Sequence, residues 1–414
     1  MERSTLKKSY YYGALLYVFL VPFHQKIATI ALILWALLSL LSFDKTTLVK
    51  NRLLLMLPLF YVLYLIGLLT SKTPSLGFLE TKLSFFVFPL IFFLHGYTLI
   101  QRKNMLKALI YGVTLSGVLL LIFATYRSIS FNGETMIFAP NVLDGKGAIE
   151  SILYGGNYYF GDFFSIFHQT VYYALYVSVA LTIVIFRPDV VAKKARILLT
   201  LFFIVLLFLI SNKAAISVFG TILLVRLISV KKSIYKKWAS FIIVGVVIGA
   251  FVWMNPRTRE SLRRVAEGEL TINKNARYGF TTRLLSWDAA ITLIKEKPIL
   301  GYGVGDIQGK LNEMYMQKEY VFPLKESHNA HNLWLQTWLE NGIPSLFTLG
   351  VIFYIMFKIG FKDNYVWGFT LTLVTILFIN SFFESLFHRF SGISFFSFVT
   401  CYVLTISRGG ERAS

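Results

Sequence analysis

Residues 105–126 read MLKALIYGVTLSGVLLLIFATY, a stretch in which Lys107 is the one charged side chain. A helix needs about 20 mostly apolar residues to cross the hydrocarbon core of a bilayer. In lipid a helix also satisfies its own backbone hydrogen bonds, which an open extended segment does not. This stretch therefore predicts a membrane-spanning helix.

Similar apolar stretches follow on both sides. The chain has 414 residues, of which 56% are apolar and 15% are charged, whereas soluble domains have about 25% charged residues. The sequence predicts an all-α polytopic bundle of about twelve transmembrane helices, forming a single integral membrane domain over residues 1–414. The predicted spans are Tyr10–Phe23, Ile27–Phe43, Leu53–Leu69, Leu83–Leu99, Met105–Tyr126, Val171–Phe186, Ile197–Ile210, Ala214–Leu227, Phe241–Trp253, Ile343–Phe361, Trp367–Phe383 and Gly392–Ile406.

The net charge of +20 is concentrated in alternate short loops, such as the one holding Lys193, Lys194 and Arg196. Loops of this kind face the cytoplasm. The pattern predicts that both termini are cytoplasmic, and it accounts for the positive charge through membrane lipids rather than through nucleic acid. The single cysteine, Cys401, excludes a disulfide framework.

Two segments on the predicted outer side are too long to be simple connections. They cover residues 128–167 and 254–340, and loops of this length are usually functional. Within the second, Thr281–Glu296 has the apolar spacing of an amphipathic helix. The sequence predicts a first long periplasmic segment and a large helical periplasmic loop that bears the active site.

The densest polar cluster, Ser327–Asn332, lies at the end of the large loop. A helix that begins near Asn332 places Gln336 and Glu340 on one face. His331 then lies at its N-terminus, and a neutral imidazole is a suitable general base near neutral pH. The same spacing also fits a capping or interfacial histidine.

His331-Asn332, followed by nine residues and Gly342, resembles the signature of the O-antigen ligase and polymerase superfamily. That signature ends in Gly, Thr or Tyr three residues after the glycine, where this chain has Ser345. The resemblance covers nearly the whole chain. Its other parts are Arg283–Trp287, Pro298 with Gly301–Gly305, His168 with Tyr172, and Glu384 in the last hairpin.

The resemblance implies a bacterial inner-membrane glycosyltransferase that works at the periplasmic face. The donor is a glycan on undecaprenyl diphosphate and the acceptor is a hydroxyl of lipid A-core or of another glycan. Transfer is inverting and needs neither a metal nor another cofactor. His331 is the implied base.

Arg283 is the expected ligand of the donor diphosphate, because an arginine fork binds phosphate oxygens in pairs. A salt bridge to Asp288 or Glu296 is the alternative. Lys213 stands where the family has a second arginine. The expected supporting or acceptor-binding residues are Asn332, Gln336, Glu340, His328 and His168.

Four functions stay open. Ligation of O-antigen to lipid A-core is the leading hypothesis, and a polymerase that extends a lipid-linked repeat is the nearest alternative. A protein O-oligosaccharyltransferase shares the same donor chemistry. A polysaccharide transporter or flippase belongs to another class, which favours inverted repeats and charged groups at the membrane midplane, and the sequence shows no repeat.

Overall fold

A computed structural model describes residues 8–141, 145–229, 234–266, 273–275, 279–362 and 367–406. Within these residues the chain is helical apart from short 3₁₀ turns, loops and one antiparallel hairpin. The α-helices, numbered α1 to α18 in chain order, are Ser9–Leu20, Gln25–Leu41, Met56–Leu69, Gly77–Lys82, Ser84–Leu94, Leu99–Ser128, Ala148–Leu153, Thr170–Phe186, Lys193–Ile210, Lys213–Ser229, Ile234–Met254, Pro256–Ala266, Phe280–Glu296, Ile307–Gln317, Val321–Lys325, Leu333–Lys362, Trp367–Phe383 and Phe390–Ile406. The strands are β1, Ile129–Asn132, and β2, Thr135–Phe138.

Four segments of the described chain are long and apolar enough to cross a membrane. A fifth results if the pair Trp238–Met254 and Pro256–Arg264, bent by 92°, is one broken span. The four are Arg52–Leu69, Gly77–Leu94, Leu99–Ser128 and Leu333–Lys362. The helical fold class is therefore confirmed, with these segments as candidate membrane spans. The count of about twelve spans is not confirmed, because several apolar helices have 17 residues or fewer. Residues 1–7 and 407–414, whose basic residues contribute to the predicted orientation, lie outside the described residues.

The chain divides into two compact units, each built from three separate stretches. Unit 1 comprises Met1–Phe43, Tyr97–Leu262 and Asp363–Ile376. Its central helix is α8, which is buried along nearly its whole length and packs against α6, α9 and α10. Close approach of helices occurs at small residues, as in membrane proteins generally: a Cβ on Gly112 would lie 2.1 Å from the carbonyl oxygen of Phe19.

Unit 2 comprises Asp44–Gly96, Arg263–Lys362 and Leu377–Ser414. Its most buried helix is α18, which packs against α5 and α16. The amphipathic helix predicted at Thr281–Glu296 is confirmed as α13, whose apolar face lies in a cluster with α14. α13 also packs against α16.

The segment of residues 128–167, predicted to lie on the outer side, has its own local structure. Asn132 and Gly133 begin the turn of the β1–β2 hairpin, where Gly133 has φ 63°, as glycine permits in tight turns. The short helix α7 follows, while residues 142–144 lie outside the described part.

Candidate active site

The loop that precedes α16 ends in a side-chain cap. The Oδ1 atom of Asn332 accepts hydrogen bonds from the backbone N–H groups of Trp334, at 2.9 Å, and Leu335, at 3.2 Å. Asparagine is among the preferred capping residues because it satisfies amides that the helix leaves unpaired. The helix start predicted near Asn332 is confirmed, and His331 is the residue immediately before the cap.

His331 has a left-handed backbone, with φ 43°, which non-glycine residues seldom adopt. Its N–H donates to Oδ1 of Asn329 at 2.8 Å, which supports this turn. The imidazole is 27% exposed. Its ring stands edge-on to that of His328, with the centroids 5.0 Å apart and the planes at 88°. In this strained backbone conformation the imidazole of His331 is partly accessible and lies beside a second histidine.

Glu384, in the loop after α17, faces this imidazole. Its Oε2 lies 3.6 Å from Nδ1 of His331, and its side chain is 9% exposed. The neighbouring Ser385 accepts a 3.3 Å hydrogen bond from the backbone N–H of Asn332, which joins the two loops. Burial by itself raises the pKa of Glu384, but His331 and Arg283 outweigh it and hold that pKa below its usual value. The carboxylate is therefore ionised.

Arg283 lies in the first turn of α13 and is half-buried. Burial lowers the pKa of its guanidinium, while the charge of Glu384 opposes that shift. The acids proposed as alternative partners are engaged elsewhere. Asp288 accepts a 2.5 Å contact from Lys318, and Glu296 accepts a 2.7 Å hydrogen bond from the Tyr302 hydroxyl.

His328 is the second histidine of the cluster. Burial, reinforced by the nearby charges of His331 and Arg283, lowers its pKa to about 4. Its backbone carbonyl accepts a 3.0 Å hydrogen bond from the hydroxyl of Tyr315. His328 is therefore neutral at physiological pH and is held in place by α14.

Gln336 and Glu340 lie on one face of α16, as predicted. Gln336 Oε1 accepts a 3.0 Å hydrogen bond from the backbone N–H of Ala330, and Gln336 Nε2 donates to Glu340 Oε1 at 2.9 Å. The other oxygen of Glu340 has no hydrogen-bond partner among the described residues. Because Ala330 immediately precedes His331, this pair braces the backbone of the histidine loop.

A buried lysine braces the loop that carries Glu384. Lys82 is 3% exposed, and its ammonium donates to the backbone carbonyl of Phe387. The same ammonium lies 4.9 Å from the ring centroid of Tyr64. Glu340 acts electrostatically on both Lys82 and Tyr64. Lys82 therefore supports the loop that holds Glu384, and Glu340, through Gln336, supports the loop that holds His331.

The signature glycine, Gly342, interrupts α16 with φ 68°. A Cβ there would lie 2.0 Å from the carbonyl oxygen of Ile299. The N–H of Ile343 donates to that carbonyl at 3.0 Å, and the N–H of Gly303 donates at 3.0 Å to the carbonyl of Glu340. Pro344 has no N–H to offer the Glu340 carbonyl. The Gly301–Gly305 segment thus supplies hydrogen bonds that the broken helix cannot.

Lys213 and His168 belong to unit 1. Lys213 is the first residue of α10, after Ser211 in the left-handed conformation and Asn212, whose Oδ1 accepts from the N–H of Ala214 at 2.9 Å. His168 is buried, with Nε2 3.1 Å from the carbonyl oxygen of Val21. Burial lowers the pKa of His168 to about 4, although the hydrogen bond to Val21 opposes the shift.

The structure thus gathers six of the predicted site residues in unit 2: Arg283, His328, His331, Asn332, Gln336 and Glu340. Sequence reasoning did not select Glu384 or Lys82 for the site. Glu384 had one signal, its agreement with the superfamily resemblance in the last hairpin. Lys82 had only the rarity of a charge inside an apolar segment.

The fold and this cluster define a class of protein: a polytopic helical membrane protein with imidazole, carboxylate and guanidinium groups assembled at helix ends. Residues 197–350 match the family model described as O-antigen ligase, which confirms the superfamily recognised from the His331–Gly342 signature. This match supports an O-antigen ligase- or polymerase-type membrane glycosyltransferase. No curated protein sequence matches the chain.

Proposed function

We propose that this protein transfers a glycan from undecaprenyl diphosphate to an acceptor hydroxyl at the periplasmic face of the bacterial inner membrane, with lipid A-core as the acceptor. The observation that carries the proposal is that Oε2 of Glu384 lies 3.6 Å from Nδ1 of His331, while Arg283 acts electrostatically on the same carboxylate. A base, an orienting acid and an anion-binding cation are the groups that this transfer requires.

His331 is the proposed general base. With Nδ1 directed toward the ionised Glu384, the tautomer that carries hydrogen on Nδ1 is favoured and Nε2 keeps its lone pair. Nε2 removes the proton of the acceptor hydroxyl as its oxygen bonds to the anomeric carbon. The bond from that carbon to the diphosphate breaks, and the configuration inverts. Glu384 then stabilises the imidazolium that forms, as the acid of a catalytic triad does.

Arg283 is the proposed ligand of the leaving diphosphate. Its guanidinium forms paired, charge-assisted hydrogen bonds to phosphate oxygens. Since the leaving group departs as an anion, it needs charge stabilisation more than protonation. Lys213 is proposed as a second diphosphate contact, which as a point charge lacks the arginine fork. His168 is proposed to support the acceptor side.

The decisive experiment is glycan transfer by the purified chain in liposomes, with undecaprenyl-diphosphate glycan, lipid A-core and EDTA. We expect product on lipid A-core that persists in EDTA and carries the inverted anomeric configuration by NMR. His331→Asn removes the base and should lower the rate by about 10²- to 10⁴-fold. His24→Asn is the matched control, because His24 caps α2 through Nδ1 and asparagine also caps helices.

Each other outcome changes the assignment. Elongated undecaprenyl-linked chains would identify a polymerase, and glycan on an added protein acceptor would identify an O-oligosaccharyltransferase. Full activity of His331→Asn would remove the proposed base. A product that disappears in EDTA would overturn the metal-independent mechanism.

A further inference from the structure

A groove with an apolar floor lies in unit 1, where α8 ends, α9 begins and α10 ends. Its volume is about 300 Å³. The floor and walls come from Val184, Ile185, Ile197 and Leu201, and the guanidinium-bearing side chains at the groove are Arg196 and Arg226. None of these residues has a place in the transfer reaction proposed above.

In the part of the chain that the structure describes, neither Arg196 nor Arg226 lies within ion-pair distance of an acid. Asp189, in the connection between α8 and α9, is engaged by Arg187 at 3.0 Å and by Lys103 at 3.7 Å. Arg226 is exposed and lies over the ring of Phe186, with 5.9 Å to the centroid. Two positive charges therefore border one apolar groove, and neither has an acidic partner among the described residues.

The position of the groove fits the edge of a bilayer. Ile197 and Leu201 are each 59% exposed on a helix of a membrane protein, as lipid-facing side chains are. Arg196 is in the first turn of α9 and Arg226 is in the last turn of α10, so both lie at one end of the apolar helices. Basic pockets between transmembrane helices on the cytoplasmic side bind phospholipid headgroups, and the cytoplasmic leaflet is the anionic one.

We propose that this groove is a binding site for an anionic diacyl phospholipid of the cytoplasmic leaflet. The phosphate lies between Arg196 and Arg226, where two guanidiniums offer paired donors to its oxygens. An acyl chain covers Val184, Ile185 and Leu201, and this contact removes their apolar surface from water. The basic start of α9, with Lys193 and Lys194, is predicted to face the same leaflet.

The test is native mass spectrometry of the purified full-length chain in detergent. It is titrated with phosphatidylglycerol and with phosphatidylcholine that carries the same acyl chains. Arg196→Gln/Arg226→Gln removes the pair at the groove. Lys193→Gln/Lys194→Gln removes the same charge from the same helix end without touching the groove lining, and serves as the matched control.

We expect the wild-type chain to prefer phosphatidylglycerol. Arg196→Gln/Arg226→Gln should reduce that preference by roughly tenfold, while phosphatidylcholine binding is retained, which shows that the groove is intact. The control variant, Lys193→Gln/Lys194→Gln, should keep the wild-type preference for phosphatidylglycerol. Because Arg226 is exposed, Arg226→Gln alone provides a folded variant if the double change unfolds the chain, and it should lose part of the preference. An equal loss in the lysine control, or an unchanged preference in the arginine variants, would overturn the proposal.

Discussion

The Nδ1 atom of His331 lies 3.6 Å from Oε2 of Glu384, although 53 positions separate the two residues in the chain. The hydrogen bond from the backbone N–H of Asn332 to Ser385 holds their loops together. In the proposed reaction Glu384 never touches substrate. It orients the imidazole and stabilises the positive charge that the imidazole acquires.

Glu384→Gln therefore tests an orienting role. It keeps the shape of the side chain and removes the negative charge, so we expect the turnover number to fall tenfold or more, with a smaller change in the donor KM. Glu384→Asp should retain more activity because it keeps the charge. The measurement is initial-rate kinetics in liposomes. If Glu384→Gln loses as much activity as His331→Asn at every pH, then Glu384 rather than His331 is the candidate base.

Arg283 is predicted to act on the donor diphosphate. Arg283→Ala should lower the transfer rate by about 10²- to 10³-fold, the cost of losing a donor to developing negative charge. Arg283→Lys keeps the charge but loses the fork, so we expect an intermediate rate. Arg259→Lys, on a cation that lies over Trp253 in unit 1, is the control and should be near wild type. Equal rates for Arg283→Lys and wild type would show that paired hydrogen bonding is not required.

Local patterns in the sequence predicted the local parts of this site. Apolar spacing predicted α13, and the polar run ending at Asn332 predicted the start of α16, because helix periodicity and capping depend on neighbouring residues. The approach of Glu384 to His331 and the place of Lys82 depend on the packing of distant helices, which no local pattern encodes. The number of membrane spans could not be predicted from local patterns either. Several apolar helices have the composition of a span but are shorter than one.

Gly342 is predicted to be a structural requirement of the signature. Gly342→Ala must keep φ near 68° and place a Cβ 2.0 Å from the Ile299 carbonyl oxygen. Holding a non-glycine residue in such a conformation costs about 1–3 kcal/mol, and the clash adds to this. Gly350→Ala is the control in the same helix. Its Cβ meets nothing within 4 Å, so we expect a gain of up to about 1 kcal/mol from helix propensity. Thermal unfolding in detergent measures both, and equal melting temperatures for the two variants would contradict the prediction.

His168 is predicted to make the chain less stable in acid. Its pKa is about 4 in the folded chain, against about 6.5 when unfolded. Between these values the unfolded chain binds a proton that the folded chain does not, so the free energy of unfolding falls as the pH drops from about 6.5 to about 4. The full effect is about 3 kcal/mol. His168→Gln can still donate to Val21 but does not titrate. Its melting temperature should fall less between pH 7.5 and pH 5 than that of the wild type, and an identical slope would refute this role.

Lys82 and Glu340 are buried charges of opposite sign in unit 2, and each braces one of the two site loops. Glu340 acts electrostatically on Lys82 without a direct contact between them among the described residues, so removal of one of these buried charges costs up to about 3–5 kcal/mol, the value for a contacting pair. We expect Lys82→Met to be destabilised by this amount, and Lys82→Met/Glu340→Gln to be less destabilised than Lys82→Met alone. A double-mutant cycle by thermal unfolding measures the coupling, and additive effects would show that the two charges are independent. Because Lys82 also holds the Phe387 carbonyl beside Glu384, the double variant should recover stability without recovering the transfer rate. Recovery of both would mean that Lys82 acts on the site through stability alone.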